Sequence, residues 1–198
     1  SPKEAMGLFA ILIILSASLL IWMNIFTLYI ALVGLALTSF YPLTKRFLPI
    51  PQFFLGLAFS WGIMMVSAAE TNQISNTTLL LFLSCWLWIV AYDTAYALCD
   101  IKDDLVLGIN SSAITFGKNV IVFFLLLHLF SILLLIQVAI SLNFHFIFYF
   151  FVFISFLLIF YQTYLIKDFD SVLCLKAFKN NNWLGLSIFI GSILGVSL

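Results

Sequence analysis

The chain has 198 residues, of which 65% are hydrophobic and only 8% charged, a balance that excludes a water-soluble domain of this length, where about a quarter of residues carry charge. Eight basic and eight acidic residues cancel, so net charge names no partner; membrane lipid is the expected environment and no nucleic acid is expected. Apolar runs of about twenty residues recur and alternating strands are absent, which predicts an all-α polytopic membrane helix bundle. Cys85, Cys99 and Cys174 show neither CxxC nor metal spacing and read as free thiols.

In chain order, Ser1 and Pro2 read as the cap and first position of a helix. Spans at about residues 5–22 and 24–41 are joined so briefly that they predict a tight helical hairpin. Pro42, Lys45, Arg46, Pro49 and Pro51 then make a basic turn in which Pro42 is expected to end or kink the preceding helix. A third span covers about residues 52–69, and after the polar stretch 70–77 a fourth runs from Thr78 into an acidic cluster. Residues 105–118 read as a loop, followed by spans at about 119–140 and 144–166. Residues 167–182 read as a second charged loop, with Asn182 capping a final helix from Trp183. Gly191 and Gly195 give that helix a small-residue face suited to close packing. The phenylalanines, His128 and His145 read as ordinary membrane-helix surface. Seven transmembrane helices put all eight Lys and Arg residues on one side, and the positive-inside rule makes that side, with the acidic cluster, cytoplasmic.

The cluster is Tyr92-Asp-Thr-Ala-Tyr-Ala-Leu-Cys-Asp-Ile-Lys-Asp-Asp104, which holds four of the eight acidic residues. On a continuous helix Asp93, Asp100 and Asp104 share a face. Carboxylates that repel at this spacing suit a divalent cation; Mg²⁺ in particular takes one or two carboxylates, keeps several waters and is completed by ligand phosphates. A solvated acidic loop ending a helix explains the cluster equally well when it is taken alone. At a membrane boundary the cation reading suggests a phosphorylated lipid-phase ligand. Lys45 and Arg46 can hold phosphate oxygens, and Asn110, Ser111 and Ser112 can hydrogen bond to them; a topology signal alone accounts equally well for the two cations. Tyr41 precedes Lys45 by four residues, so a helix continuing through Pro42 would present phenol and ammonium together.

Tyr92-Asp-Thr-x-Tyr-Ala with Asp100-x-x-Asp103-Asp104-x-x-x-Gly108-Ile-x-Ser-x-Ala113 resembles the second aspartate-rich motif of the UbiA family of intramembrane aromatic prenyltransferases, in its 4-hydroxybenzoate polyprenyltransferase branch. Tyr41-Pro-x-x-Lys45-Arg46, Pro51-Gln52 with Gly56 and Trp61, and Lys176-Ala-Phe-x-Asn180-Asn-Asn182 resemble the same branch, so the similarity covers nearly the whole chain. The family pattern has nine membrane helices and a first motif, Asn-Asp-x-x-Asp-x-x-x-Asp, after the second. The resemblance therefore implies that residues 1–198 are the C-terminal seven helices of a single transmembrane prenyltransferase domain and are inactive alone.

It further implies Mg²⁺-dependent transfer of a polyprenyl group from a polyprenyl diphosphate to the ring of 4-hydroxybenzoate, a step of ubiquinone biosynthesis, in a bacterial inner membrane. In that scheme Asp100, Asp103 and Asp104 hold the metal, Lys45 steadies the diphosphate, and Arg46 takes the acceptor's carboxylate as a bidentate fork. Tyr41, Tyr92, Asp93 and Tyr96 line the substrate cavity, with Asn110 and Ser111 as further binding groups. Competing readings are prenylation of homogentisate, dihydroxynaphthoate or haem, and a seven-helix transporter with intramembrane carboxylates.

Overall fold

The computed structural model describes residues 1–197, and all its regular structure is helical. The elements are α1 (Pro2–Leu19), α2 (Ile25–Thr44), α3 (Pro51–Thr71), α4 (Asn76–Leu107), the short α5 (Ser112–Phe116), α6 (Val120–Ser141), α7 (Ile147–Ile166) and α8 (Ser171–Ser197). Seven long helices thus match the seven predicted spans, and six are long and apolar enough to cross a membrane. The chain is an integral membrane protein.

The longest helix, α4, is the centre of the bundle and packs against α3, α6 and α8, while α7 closes against α8 and α2 against α3. Lipid supplies no hydrophobic drive between helices, so small residues and polar staples set these contacts. Gly191 lies under Phe151, and Gly195 lies under Phe148 and Phe144, which brings α7 and α8 together as the small-residue face predicts. Three indoles each donate to a neighbouring helix: Trp61 Nε1 to the Ile30 carbonyl (2.8 Å), Trp86 Nε1 to the Phe53 carbonyl (2.8 Å) and Trp88 Nε1 to Asn181 Oδ1 (2.7 Å). Ser84 and Ser131 exchange hydroxyl-to-carbonyl bonds of 2.8 Å across α4 and α6.

Four expectations need correction. The final helix begins at Ser171, not Trp183, capped by Asp170 Oδ1 on the Leu173 N–H (2.9 Å), so Asn182 lies mid-helix and caps nothing. The polar run survives there because its amides are used across the bundle, Asn180 Oδ1 accepting from Gln162 Nε2 (3.1 Å) and Asn181 from Trp88. Pro42 does not end α2, which continues to Thr44; a proline this near a C-terminus removes only one late hydrogen bond. The hairpin of α1 and α2 does not form as a packed pair: α1 has no buried residue and no extensive contact with another helix, since it is apolar on every side and presents no face that lipid would disfavour. His128 is 1% exposed, not surface, with Nδ1 on the Phe124 carbonyl at 3.0 Å.

Backbone contacts sort the loops into two ends. The Asn110 N–H donates to the Lys45 carbonyl (3.1 Å) at one end, and the His145 N–H donates to the Gly195 carbonyl (2.9 Å) at the other. Asn24 Nδ2 binds the Ala68 carbonyl (2.7 Å) at that second end. Single cysteines replacing Lys45, Lys102 or Lys118 are therefore expected to react with an impermeant maleimide from one face of the membrane only, and Glu70→Cys from the opposite face; reaction of positions 70 and 102 from the same face would contradict this topology.

Candidate active site

The acidic cluster lies on the last turns of α4, which runs unbroken through it and stops at Gly108, whose φ of +66° closes the helix end. Because the helix is continuous, Asp93, Asp100 and Asp104 lie along one half-buried stripe. Rise alone places Asp93 about 10 Å deeper than Asp100, and Asp104 about 6 Å beyond it. Asp103, about 100° around the helix from Asp104, is exposed.

Opposite this stripe stands the end of α2. Its continuation through Pro42 stacks Tyr41 one turn above Lys45, so the phenol and ammonium share a face as the spacing suggests. The Lys45 charge attracts both Asp93 and Asp104, while Asp100 repels both. Asp93 also neighbours Tyr41 and Tyr92, and Asp100 neighbours Tyr96. Among the described residues Lys45 and Arg46 form no ion pair, and both are exposed, so their donors are free for an anionic ligand.

Gln52, 5% exposed at the first turn of α3, ties these parts together and was not singled out as a site residue by its sequence. Its Oε1 accepts from the Ser112 N–H at 2.8 Å, and its side chain adjoins the Asp93 carboxylate. Ser112 Oγ shares a hydrogen bond with Thr94 Oγ1 (2.8 Å), so that hydroxyl faces the protein and not a ligand. Ser111 Oγ accepts from the Ile114 N–H (3.4 Å) and adjoins Asp104. Thr115 donates to the Pro49 carbonyl, which fastens the α4–α5 connection over the α2–α3 turn. Gln52→Leu would strand the buried Ser112 N–H and is expected to lower stability by about 1–3 kcal/mol, read as a fall in the melting temperature of detergent-purified protein; an unchanged melting temperature would show that Gln52 is not the tie.

Beside the stripe, Tyr92 and Tyr96 pack on Phe178 of α8, with ring centroids 5.8 and 5.1 Å apart. A cavity of about 560 Å³ opens beside Tyr92, walled by Phe59 of α3, Cys85 and Trp88 of α4, and Phe178, Asn181 and Asn182 of α8. Of these wall residues, Phe178 and Asn181 fall in the stretch that the sequence reads as a charged loop, and Trp88 reads as part of an ordinary span. The signal available in the sequence was the asparagine run, which is out of place in an apolar helix unless it has partners.

Among the described residues no three acidic, His or Cys side chains gather into a set that could hold a metal by themselves. Asp100 and Asp104, a turn apart and partly open to solvent, instead fit the open kind of Mg²⁺ site in which one or two carboxylates are completed by water and phosphate oxygens.

These features define a helical membrane protein with carboxylates and unpaired cations gathered at one end, and with a cavity of aromatic and amide walls beside Tyr92 on the same helix. Residues 1–192 match the UbiA prenyltransferase family, and the chain belongs to that family. It is 42% identical over 94% of its length to a 4-hydroxybenzoate octaprenyltransferase of Tolumonas auensis, of which it covers 66%, and 43% identical over 96% to one of Aliivibrio fischeri, of which it covers 66%. The chain thus spans about two thirds of the length of these curated relatives. Its fold is that of a UbiA homologue from Aeropyrum pernix K1, with a TM-score of 0.82 at 22% identity over 98% of this chain and 73% of that one. A structure of digeranylgeranylglyceryl phosphate synthase is also similar, with a TM-score of 0.76 at 23% identity over 100% and 71% of the two chains.

Proposed function

We propose that the protein transfers a polyprenyl group from a polyprenyl diphosphate to the aromatic ring of 4-hydroxybenzoate, with Mg²⁺ as the divalent cation and with the carboxylate end of the bundle facing the cytoplasm. The observation that supports this reading best is the meeting of the Asp100–Asp104 pair and the unpaired Lys45 at one end of the bundle, on the same helix as the Tyr92 wall of the cavity, in a chain about 40% identical to proteins named for this reaction.

Asp100 and Asp104 would hold the cation, which when bound neutralises the charge that develops on the leaving diphosphate. Lys45 supplies a second positive charge for the same diphosphate without needing to leave an existing ion pair. Heterolysis of the allylic C–O bond leaves the electron pair on the diphosphate and a cation delocalised over the allyl carbons. The ring carbon beside the acceptor's hydroxyl attacks that cation, forming the C–C bond, and loses its proton to restore aromaticity. Asp93, which neighbours Gln52, Tyr41 and Lys45, would receive that proton. Exposed Arg46 would take the acceptor's carboxylate as a fork, and Tyr92, Tyr96 and Phe178 offer aromatic faces that exclude water from the cation. Asn110 and Ser111 would close the diphosphate end, and Asp103 would act from the outer shell.

Gathering of the carboxylates at one end favours this reading over a transporter, whose carboxylates would be distributed near the bilayer midplane of several helices. The full-length polypeptide, expressed in bacteria lacking their own 4-hydroxybenzoate polyprenyltransferase, is expected to restore prenylated 4-hydroxybenzoate in lipid extracts. Prenylated homogentisate or dihydroxynaphthoate in its place would contradict the choice of acceptor.

A further inference from the structure

At the end of the bundle opposite Lys45, a cavity of about 540 Å³ opens between α3, α4 and α6. Its floor is aliphatic, with Ile63 and Val66 of α3, Leu81 of α4 and Val138 of α6. About a turn nearer the helix ends its rim is polar, Ser67, Glu70 and Thr71 of α3 facing Ser75, Thr77 and Thr78 at the start of α4.

The rim is a set of acceptors. A hydroxyl has one hydrogen to give and two lone pairs with which to receive. Ser67 gives its hydrogen to the Gln73 carbonyl (2.8 Å), so Thr78 is the donor to Ser67 at 2.9 Å and Ser75 the donor to Thr78 at 2.9 Å. Thr71 gives its hydrogen to the Ser67 carbonyl (2.8 Å). These hydrogens are committed within the protein, while the hydroxyl oxygens keep lone pairs for a ligand. Glu70 adds a carboxylate that is exposed and has no ion pair among the described residues. It stands on the last turn of α3, where the helix dipole is negative. All eight Lys and Arg residues belong to the other half of the bundle, so no side chain neutralises it.

A carboxylate and spare acceptors above an aliphatic floor select a ligand that is cationic, carries N–H donors and is attached to hydrocarbon. We propose that this cavity binds a phosphatidylethanolamine, with its ammonium on Glu70 and the hydroxyl rim and its first acyl carbons on the floor. The phosphate then meets Thr77, whose hydroxyl has no partner among the described residues. A free amine would leave the floor unfilled, phosphatidylcholine has the charge without an N–H, and phosphatidylglycerol brings no cation to Glu70. Binding here is independent of the reaction proposed above.

The test uses the full-length polypeptide, purified in detergent, stripped of lipid and mixed with equal amounts of phosphatidylethanolamine, phosphatidylcholine and phosphatidylglycerol. Native mass spectrometry is expected to show phosphatidylethanolamine retained about fivefold over each of the others, the scale of one exposed charge pair. Glu70→Gln is expected to bring that preference below about twofold. Equal retention of the three lipids, or an unchanged preference in Glu70→Gln, would overturn the proposal. Free ethanolamine displacing the lipid at equal concentration would overturn it too, since the site would then take the amine alone. Should Glu70→Gln fail to fold, the unsubstituted protein still decides: phosphatidylethanolamine with a diazirine on its first acyl carbons is expected to label α3 and α6 near Val66 and Val138. Label spread evenly around the bundle would contradict the site.

Discussion

Asp104→Asn, and separately Asp100→Asn, is expected to reduce prenyl transfer by about a thousandfold or more while leaving the protein folded in membranes. The physical reason is that an ionising diphosphate needs its developing charge neutralised. A carboxylate-held cation supplies several kcal/mol of that stabilisation, and each ~1.4 kcal/mol is a tenfold change in rate. Asparagine keeps the shape of the side chain and removes the charge, so folding should be spared; both positions are only half-buried and neither anchors the bundle through an observed ion pair. Asp168 is the control: exposed and 3.9 Å from Lys167, it is a surface pair, and Asp168→Asn should change activity by less than about twofold. Initial rates at saturating Mg²⁺ decide the matter, and equal losses at all three positions would show that the pair is not a metal site.

Gly191→Leu is expected to destabilise the bundle strongly. A Cβ at this position would stand 2.6 Å from Phe151 Cβ, a contact with the root of a side chain that cannot swing away. Overpacking of this kind costs about 1–3 kcal/mol and occasionally more. In a chain of this size that corresponds to a fall of roughly 2–12 °C in melting temperature. Because α8 carries Phe178, Asn181 and Asn182 into the wall of the cavity, activity should fall with stability. Gly7→Leu, on the unpacked α1 with nothing within 4 Å of its added Cβ, should leave the melting temperature unchanged. Equal behaviour of the two variants would show that the α7–α8 contact does not hold the bundle together.

The spans were legible in the sequence because an apolar run of membrane length is a strong signal that depends on no tertiary contact. The same signal misplaced the start of α8. Asn180, Asn181 and Asn182 look like a loop until Gln162 and Trp88 are brought opposite the first two, and that pairing exists only in three dimensions. Pro42 misled in the same way, since its rule describes helix interiors and α2 has two residues left when it reaches the ring. At the site, Asp93, Asp100, Asp104 and Lys45 were readable from charge placed against an apolar background. Gln52 was not, because a lone glutamine at a helix start carries no periodic or charge signal; its role comes from Ser112, sixty residues on. The sequence does not show that His128 is buried, because hydropathy shows that a helix lies in lipid but not which side of it faces other helices.

Turnover by membranes holding the full-length polypeptide, supplied with a polyprenyl diphosphate and ring-labelled 4-hydroxybenzoate, with Mg²⁺ or with excess EDTA, tests the proposed reaction most directly. A lipid-extractable labelled product, alkylated on the ring carbon beside the hydroxyl, is expected to form with Mg²⁺, to be lost with EDTA and to return when Mg²⁺ is restored. No ring-alkylated product with Mg²⁺ present, or the same yield with and without the chelator, would contradict it.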